Sequence, residues 1–170
     1  RKTAGGLWYL EFDGVDDFLR ATGFTIAQPA TWVFAAALTA RGAVGRFYDS
    51  ADNAFRQACL EINDITVFAG TVFDTSTFNP LSPLNTEFVC TSIFDSTSSE
   101  IRINSGNTEI ATGDAGTKAA AGITIGANIR GDGNFSPMKW YGMITIAKRL
   151  SGGDLSSAEQ WATDKSGATP

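Results

Sequence analysis

The sequence predicts an all-β fold, a sandwich or a barrel, with one short helix near its carboxyl end. Three observations favour this class. Apolar and polar residues alternate along short runs, turn residues separate those runs at intervals of about 8 to 12 residues, and no helical period interrupts the series. The 170 residues include 18 glycines and 12 phenylalanines, a composition typical of one globular core rich in strands and turns.

The opening run shows the alternation most clearly. Trp8, Leu10 and Phe12 share one face of a predicted strand. The pair Asp13 and Gly14 then turns the chain, so the next run returns as a hairpin or leaves through a tight corner.

Later runs supply the rest of the predicted sheets. In the run from Thr31 to Leu38, the side chains of Trp32, Phe34, Ala36 and Leu38 share one face. All four tryptophans of the chain are predicted to lie in the core or to dock the helix. The other predicted strands are residues 7–12, 15–20, 24–26, 46–48, 58–62, 65–68, 87–94, 100–104, 108–111, 123–127 and 139–147.

One helix is predicted close to the carboxyl end. Ser156 and Glu159 have the spacing of a capping box, in which each side chain accepts a hydrogen bond from the other residue's backbone N–H, and Gly167 is placed to end the helix. Residues 70–85 contain Thr, Ser, Asn and two prolines, which indicates a long loop. Residues 104–107, Asn-Ser-Gly-Asn, indicate a tight reversal.

Charge and hydropathy exclude two kinds of partner. The net charge is -5, and the 13 Lys and Arg residues are scattered singly, so no basic stripe is available to bind a nucleic acid. No apolar run approaches the ~20 residues of a membrane-spanning helix, so membrane insertion is not expected.

The chain contains no histidine, which removes imidazole from every reaction it could catalyse. A glycanase with two carboxylates stays open, but Glu61 and Asp64 are an odd number of residues apart and would point to opposite faces of a regular strand. We therefore expect no enzymatic activity. Cys59 and Cys90 are predicted to be buried thiols, with one disulfide as the alternative.

Three segments together resemble a known family. Residues Leu10 to Leu19 match the pattern apolar-x-Phe-Asp-Gly-x-Asp-Asp-aromatic-apolar, which resembles the opening strand pair of laminin-G-like, concanavalin A-type jelly-roll domains. Residues 87–109 are similar to their central hairpin, although Ser105 separates Asn from Gly, and residues 140–159 resemble their closing strand and helix. The resemblance implies a concanavalin A-like jelly-roll β-sandwich of two antiparallel sheets with one short C-terminal helix. It also implies one domain over residues 1–170 of a longer protein.

Within that superfamily, residues Gly6 to Leu19 look most like domains of tailed-bacteriophage and prophage virion proteins. This resemblance implies a non-catalytic structural or adhesion domain of a tail, a fibre or the head surface. Its expected partners are host-surface glycans or other virion subunits, and a homo-oligomer is expected in a fibre or on a capsid. The alternative is a lectin-like carbohydrate-binding module of a secreted, extracellular bacterial protein.

The acidic cluster of Asp13, Asp16 and Asp17 is a candidate metal site. Carboxylates in flexible loops are ligands that Ca²⁺ prefers, so calcium is the implied cofactor. The alternative is that these aspartates cap their own backbone as Asx-turns. Residues 49–53 form a second acidic loop with the same two interpretations.

Sugar binding on this fold uses exposed aromatic rings flanked by polar side chains. Tyr9, Tyr48 and Tyr141 are predicted to lie on strand faces opposite the core. A glycine-rich loop at residues 126–135 would supply the hydrogen bonds. The alternative is that the tyrosines cover a second sheet face and the loop only connects two strands. The candidate ligand-binding residues are Tyr48, Tyr141, Asn128, Arg130, Asp132 and Asn134.

Overall fold

Two antiparallel sheets of six strands each form the fold in a computed structural model. It describes residues 1, 3, 5–40, 45–50, 56–59 (backbone), 65–75 and 83–168. The elements are β1 Leu10–Asp13, β2 Leu19–Ile26, β3 Ala30–Leu38, β4 Gly45–Asp49, β5 Arg56–Cys59, β6 Ile65–Phe68, β7 Val72–Asp74, β8 Phe88–Phe94, β9 Ser99–Ile103, β10 Glu109–Gly113, β11 Ala120–Ile125, β12 Pro137–Ile146 and helix α1 Gly152–Ser166.

The strand order is β1-β12-β3-β8-β9-β10 in the first sheet and β2-β11-β4-β5-β6-β7 in the second. β1 and β2 follow each other in the chain but lie in different sheets, because β1 pairs with β12 and β2 pairs with β11. Of the two predicted alternatives, the corner is therefore confirmed and the hairpin is wrong. The expected sandwich of two antiparallel sheets with one C-terminal helix is confirmed.

Aromatic side chains fill the space between the sheets. The Trp32 ring stacks on the Tyr48 ring with centroids 4.8 Å apart, and the Phe34 ring stacks on Trp140 at 4.9 Å. Such pairs stabilise the core by more than the area they bury. The predicted inward face of β3 is confirmed, since Trp32, Phe34, Ala36 and Leu38 all lie in this core.

Helix α1 packs on the outer face of the first sheet. Val33 and Val89 project from that sheet into a second apolar cluster, where they meet Leu155 and Ala162 of the helix. Both faces of β3 are consequently buried, and every residue of β3 is inaccessible to solvent or nearly so. The outer face of the second sheet has no such helix, which leaves it as the free face of the sandwich within the described residues.

The start of the helix corrects one prediction. α1 begins at Gly152, so Ser156 and Glu159 lie inside it and form no capping box. The Ser156 hydroxyl donates to the Gly152 carbonyl, while the Glu159 carboxylate is buried against the sheet and bound to side chains there. The predicted end is confirmed, because Gly167 adopts a left-handed conformation and its N–H donates to the Thr163 carbonyl.

The tryptophans divide into three groups. Trp32 and Trp140 lie in the core and Trp161 packs half-buried in the helix cluster, as predicted. Trp8 is 70% exposed and Leu10 is 49% exposed, so the prediction that they join the core is wrong. The reason is that β1 is an edge strand, with a neighbour on one side only.

The remaining predictions have mixed outcomes. Cys90 is a buried free thiol, as predicted, whereas the side chain of Cys59 lies outside the described residues. The reversal at residues 104–106 is confirmed, with Ser105 at a positive φ. The predicted long loop contains β7, and residues 76–82 lie outside the described part. Along the described residues, no helix has the length and apolar character needed to cross a bilayer.

Candidate functional site

Two predicted sites meet at one end of the sandwich. The acidic turn, residues 13–18, begins at the last residue of β1, and the glycine-rich loop, residues 126–135, lies between β11 and β12. A Cβ placed on Gly131 would lie 2.6 Å from the Phe18 ring, and one on Gly126 would lie 3.3 Å from the Asp17 carbonyl. Both glycines also have positive φ angles, so the close approach of these two segments requires glycine at both positions.

The acidic turn is built by its own carboxylates. Asp13 Oδ1 accepts hydrogen bonds from the backbone N–H groups of Val15, at 2.7 Å, and Asp16, at 3.4 Å. Asp17 Oδ2 accepts from the N–H of Asp13 at 3.1 Å. The Asx-turn interpretation therefore accounts for Asp13. The Asp17 carboxylate bonds back to the backbone at the start of the turn, and the Asp16 carboxylate makes none of these bonds.

The same three aspartates could also hold a cation. One carboxylate oxygen from each of Asp13, Asp16 and Asp17 lies within 4.8 Å of the others, and all three side chains are exposed. Three carboxylates supply about half of the six to eight oxygens that Ca²⁺ takes. The residues thus fit calcium in part, and the remaining oxygens would have to come from water or from a ligand.

Asn128 organises the glycine-rich loop. Its Oδ1 accepts from the backbone N–H groups of Arg130 and Asp132, both at 3.2 Å, and its Nδ2 donates to Asp132 Oδ1 at 2.9 Å. Its own N–H donates to the Gly133 carbonyl. The Asn128 amide makes its hydrogen bonds inside the loop, so we revise its role from ligand contact to positioning residue. These bonds hold the loop in one conformation. A loop that only connects two strands would not need them.

The loop is fastened to the second sheet. The Arg46 N–H donates to the Asn134 carbonyl, and the Ser136 hydroxyl donates to the Arg46 carbonyl, each at 2.9 Å. These contacts leave Arg130, Asp132 and Asn134 exposed at the end of the sandwich. Three of the four predicted loop residues therefore lie at the surface, in the loop whose Gly126 and Gly131 approach the acidic turn.

The second sheet also carries charged side chains in one row, of which sequence reasoning assigned Asp49 to the second acidic loop and missed Arg20. Strand register aligns Arg20, Thr124 and Asp49 in one row across three strands. Asp49 is buried, and its carboxylate lies 3.8 Å from Nε of Arg46. The signal was available, because Arg20 and Asp49 occupy positions adjacent in sequence to inward-facing residues.

The predicted exposure of Tyr48 and Tyr141 is wrong, so neither ring is placed to stack on a sugar. Tyr48 has no exposed surface, because a register shift between Arg46 and Tyr48 on β4 turns both Phe47 and Tyr48 into the core. Tyr141 is 7% exposed at the helix-covered face, and its hydroxyl donates to Glu87 Oε1 at 2.8 Å. Burial raises the pKa of both phenols, and Glu87 raises the pKa of Tyr141 further.

Three predicted positions fall partly or wholly outside the described residues. Of the second acidic loop, Asp49 and Ser50 are described and residues 51–53 are not. Glu61 and Asp64, the carboxylates of the glycanase alternative, also lie outside the described part. Tyr9, by contrast, lies within the described residues. It was predicted to lie on an outward strand face and is half-buried, with its ring centroid 5.8 Å from that of Tyr141.

No family model and no curated protein matches this chain. Among solved structures, a native heptameric SAP-like pentraxin from Limulus polyphemus is similar, with a TM-score of 0.64 and 13% identity over 92% of this chain and 80% of that one. A Trypanosoma rangeli sialidase matches with a TM-score of 0.63 and 8% identity, over 95% of this chain but 28% of that chain. The CBM40 of a Ruminococcus gnavus sialidase matches with a TM-score of 0.53 and 9% identity, over 84% and 96%. At these identities the likeness establishes the architecture, and this chain has the concanavalin A-like jelly-roll fold.

Proposed function

We propose that this chain is a non-catalytic glycan-binding domain and that its ligand lies across the acidic turn and the glycine-rich loop. One observation carries the proposal. Two exposed polar segments, distant in sequence, lie close together at one end of the sandwich because glycines permit their contact, and each segment is ordered by its own internal hydrogen bonds. A site whose loops are already ordered loses less entropy on binding, which is what weakly interacting sugars require.

The charges at this end favour an uncharged glycan. Asp13, Asp16, Asp17 and Asp132 are all exposed here, and Arg130 is the one basic side chain of the two segments. Carboxylates accept hydrogen bonds from sugar hydroxyls, whereas they repel the carboxylates of sialic or uronic acids. A neutral, hydroxyl-rich surface glycan is therefore the ligand class that we propose.

The comparisons support binding more than catalysis. The CBM40 neighbour is a carbohydrate-binding module and resembles this chain over nearly its whole length, whereas this chain spans 28% of the sialidase. An alginate lyase shares the fold as well, at 13% identity. Because this chain has no histidine, catalysis could not use imidazole, and carboxylates such as Glu61 are the acid–base groups of the glycanase alternative.

We further propose that the domain is displayed on a phage or prophage virion, in a tail, a fibre or the head surface, where it contacts host glycans or other virion subunits. The support is the opening motif, Gly6 to Leu19. The alternative, a secreted extracellular module, uses the same site. Electron microscopy of phage particles labelled with an antibody against the domain separates the two locations.

A glycan array tests the binding site. The purified chain is applied to neutral, sialylated and uronate-containing glycans, in calcium and in EDTA. We expect saturable binding to neutral glycans that Arg130→Ala and Asp132→Ala weaken about tenfold or more, since each removes a charged hydrogen-bonding group. Lys165→Ala is the matched control, because Lys165 is exposed on the helix at the opposite face.

Two outcomes would count against this proposal. Binding that Lys165→Ala weakens as much as Arg130→Ala would place the ligand elsewhere. Release of reducing ends from a glycan, lost in Glu61→Gln, would identify a hydrolase and would contradict the non-catalytic assignment. If EDTA abolishes glycan binding, calcium restores it, and Asp16→Asn does not bind even in calcium, then a calcium ion held by the acidic turn is part of the same site.

A further inference from the structure

We propose that a second copy of this chain packs against the open edge formed by β1 and β2, about a two-fold axis. The inference does not depend on glycan binding, although the acidic turn, which contains Val15 and Phe18, belongs to both proposed surfaces. Eight large apolar side chains are more than a third exposed among the described residues, and six of them fall between residues 8 and 24. These six are Trp8 (70%), Leu10 (49%), Val15 (69%), Phe18 (40%), Leu19 (47%) and Phe24 (40%).

The two long sides of the sandwich differ in how they end. At one side β7 and β10 approach closely, since a Cβ on Gly113 would lie 2.7 Å from the Phe73 ring. At the other side β1 and β2 are the terminal strands. Leu10 pairs with Trp140 and Leu19 pairs with Ile125, and both partners contact the core. Leu10 and Leu19 thus hold inward-facing positions at which the described residues supply no further strand, and beside Leu10 the backbone of Arg1 pairs with that of Tyr9.

The exposed area is large enough for a dimer. With aromatic side chains at ~200 Å² and aliphatic ones somewhat smaller, the six exposed fractions sum to about 600 Å² of apolar surface. That is the upper end of the largest apolar patch on a typical monomer, ~300 to 600 Å². A standard interface buries about 800 Å² on each partner, so polar neighbours of these six side chains would supply roughly the last quarter.

The edge is complementary to itself. β2 contains one charged residue in eight, Arg20, and no proline, so it lacks the usual protection of an edge strand. Two antiparallel copies of β2, centred between residues 22 and 23, place Leu19 opposite Ile26 and Ala21 opposite Phe24. These are apolar pairs at the inward positions. A register shift in β2 adds twist there, so we assign the contact to side chains and not to an uninterrupted ladder.

Charge favours the same antiparallel arrangement. The acidic turn, with three exposed aspartates, lies before the start of β2. Lys118 is exposed and lies near the end of β2, where the Gln28 amide donates to the Lys118 carbonyl at 2.9 Å. In the antiparallel pair, the acidic turn of one copy faces Lys118 of the other. A two-fold axis forms this attraction twice.

Mass in solution tests the proposal, by light scattering and by sedimentation equilibrium. The wild type is expected at twice the chain mass of 18.0 kDa. Leu19→Arg should raise the dimer dissociation constant about tenfold or more, because it puts a charge into a desolvated contact. Ile110→Arg and Val72→Arg are matched controls, since Ile110 and Val72 are 51% and 56% exposed on the opposite edges. A charge swap adds a second measure: Lys118→Glu should weaken the dimer, and Lys118→Glu with Asp16→Lys should restore it.

Each of three results would overturn the proposal. The first is a wild-type mass of one chain at the highest soluble concentration. The second is a dimer that Leu19→Arg leaves intact while circular dichroism shows the variant folded. The third is an oligomer larger than two that Ile110→Arg or Val72→Arg dissolves, which would place the contact at the β7 and β10 edge.

Discussion

Replacing Glu159 by alanine should loosen the helix from the sheet. The Glu159 carboxylate is 2% exposed and accepts hydrogen bonds from Arg102 Nε, at 2.8 Å, and from the Thr91 hydroxyl, at 3.0 Å. Burial disfavours the charged guanidinium of Arg102, but its bonds to Glu159 and Glu100 outweigh burial and raise its pKa. Arg102 therefore stays charged, and Glu159→Ala leaves that charge with fewer partners.

The magnitude follows from the bonds that remain. Removing one partner of a buried ion pair costs ~3 to 5 kcal/mol. Arg102 keeps Glu100 Oε1 at 3.0 Å and the Ser105 carbonyl at 2.8 Å, which places the expected loss at the lower end. A loss of about 3 kcal/mol in the free energy of unfolding corresponds to a fall in Tm of roughly 6 to 12 °C for a domain of this size.

Urea unfolding followed by tryptophan fluorescence measures this loss, since Trp161 packs at the helix–sheet contact. Glu159→Gln keeps an acceptor oxygen and should lose less than Glu159→Ala. Asp164→Ala is the control, because the Asp164 carboxylate binds only the exposed Gln160 amide and should cost about 0.5 kcal/mol or less. A Glu159→Ala protein as stable as the control would refute the assignment of Glu159 as the anchor of the helix.

Three other perturbations test the core and the site. Because burial raises the pKa of Tyr48 in the folded state, its contribution to stability is complete below the unfolded pKa of ~10 and is lost as the pH rises above it. Tyr48→Phe should therefore flatten the fall in stability between pH ~10 and the folded pKa, and an unchanged slope in alkaline urea titrations would contradict this. Asp13→Ala should destabilise the chain by about 1 to 2 kcal/mol, since Asp13 Oδ1 accepts two backbone hydrogen bonds, and thermal melts in EDTA measure this without any metal. Asn128→Ala should weaken glycan binding, because Arg130 and Asp132 lose the hydrogen bonds that hold them in place, although we assign Asn128 no contact with the ligand. The Tm should change little. Unchanged glycan binding would show that Asn128 is not needed to position the loop.

The candidate site was predicted in part. Asp13, Asp16 and Asp17 were identified from composition and turn chemistry, because Asx-turns and acidic clusters are local patterns. The exposure of Arg130, Asp132 and Asn134 agrees with a glycine-rich loop at the surface. That these two segments would touch was not readable, since their contact depends on Gly126 and Gly131 packing against residues more than a hundred positions away in sequence.

The tyrosines show where alternation fails. On a regular strand, Phe47 and Tyr48 would point to opposite faces, so alternation predicts that Tyr48 faces outward. The register shift on β4 adds a residue that breaks the period of two, so both rings enter the core. A bulge of this kind leaves no mark in the hydrophobic pattern, and only the neighbouring strands reveal it.

The sequence by itself determined the class of the fold, the inward face of β3, the end of the helix at Gly167 and the absence of imidazole chemistry. Each of these depends on residue types or on a period set within a few neighbouring residues. The tertiary structure alone decided that β1 and β2 join different sheets, that Leu10 and Leu19 are exposed at the edges of those sheets, and that Glu159 turns into the sheet. The physical reason is that a strand's own residues set which side chains alternate, whereas its partners are chosen by hydrogen bonds and packing between segments far apart in the chain.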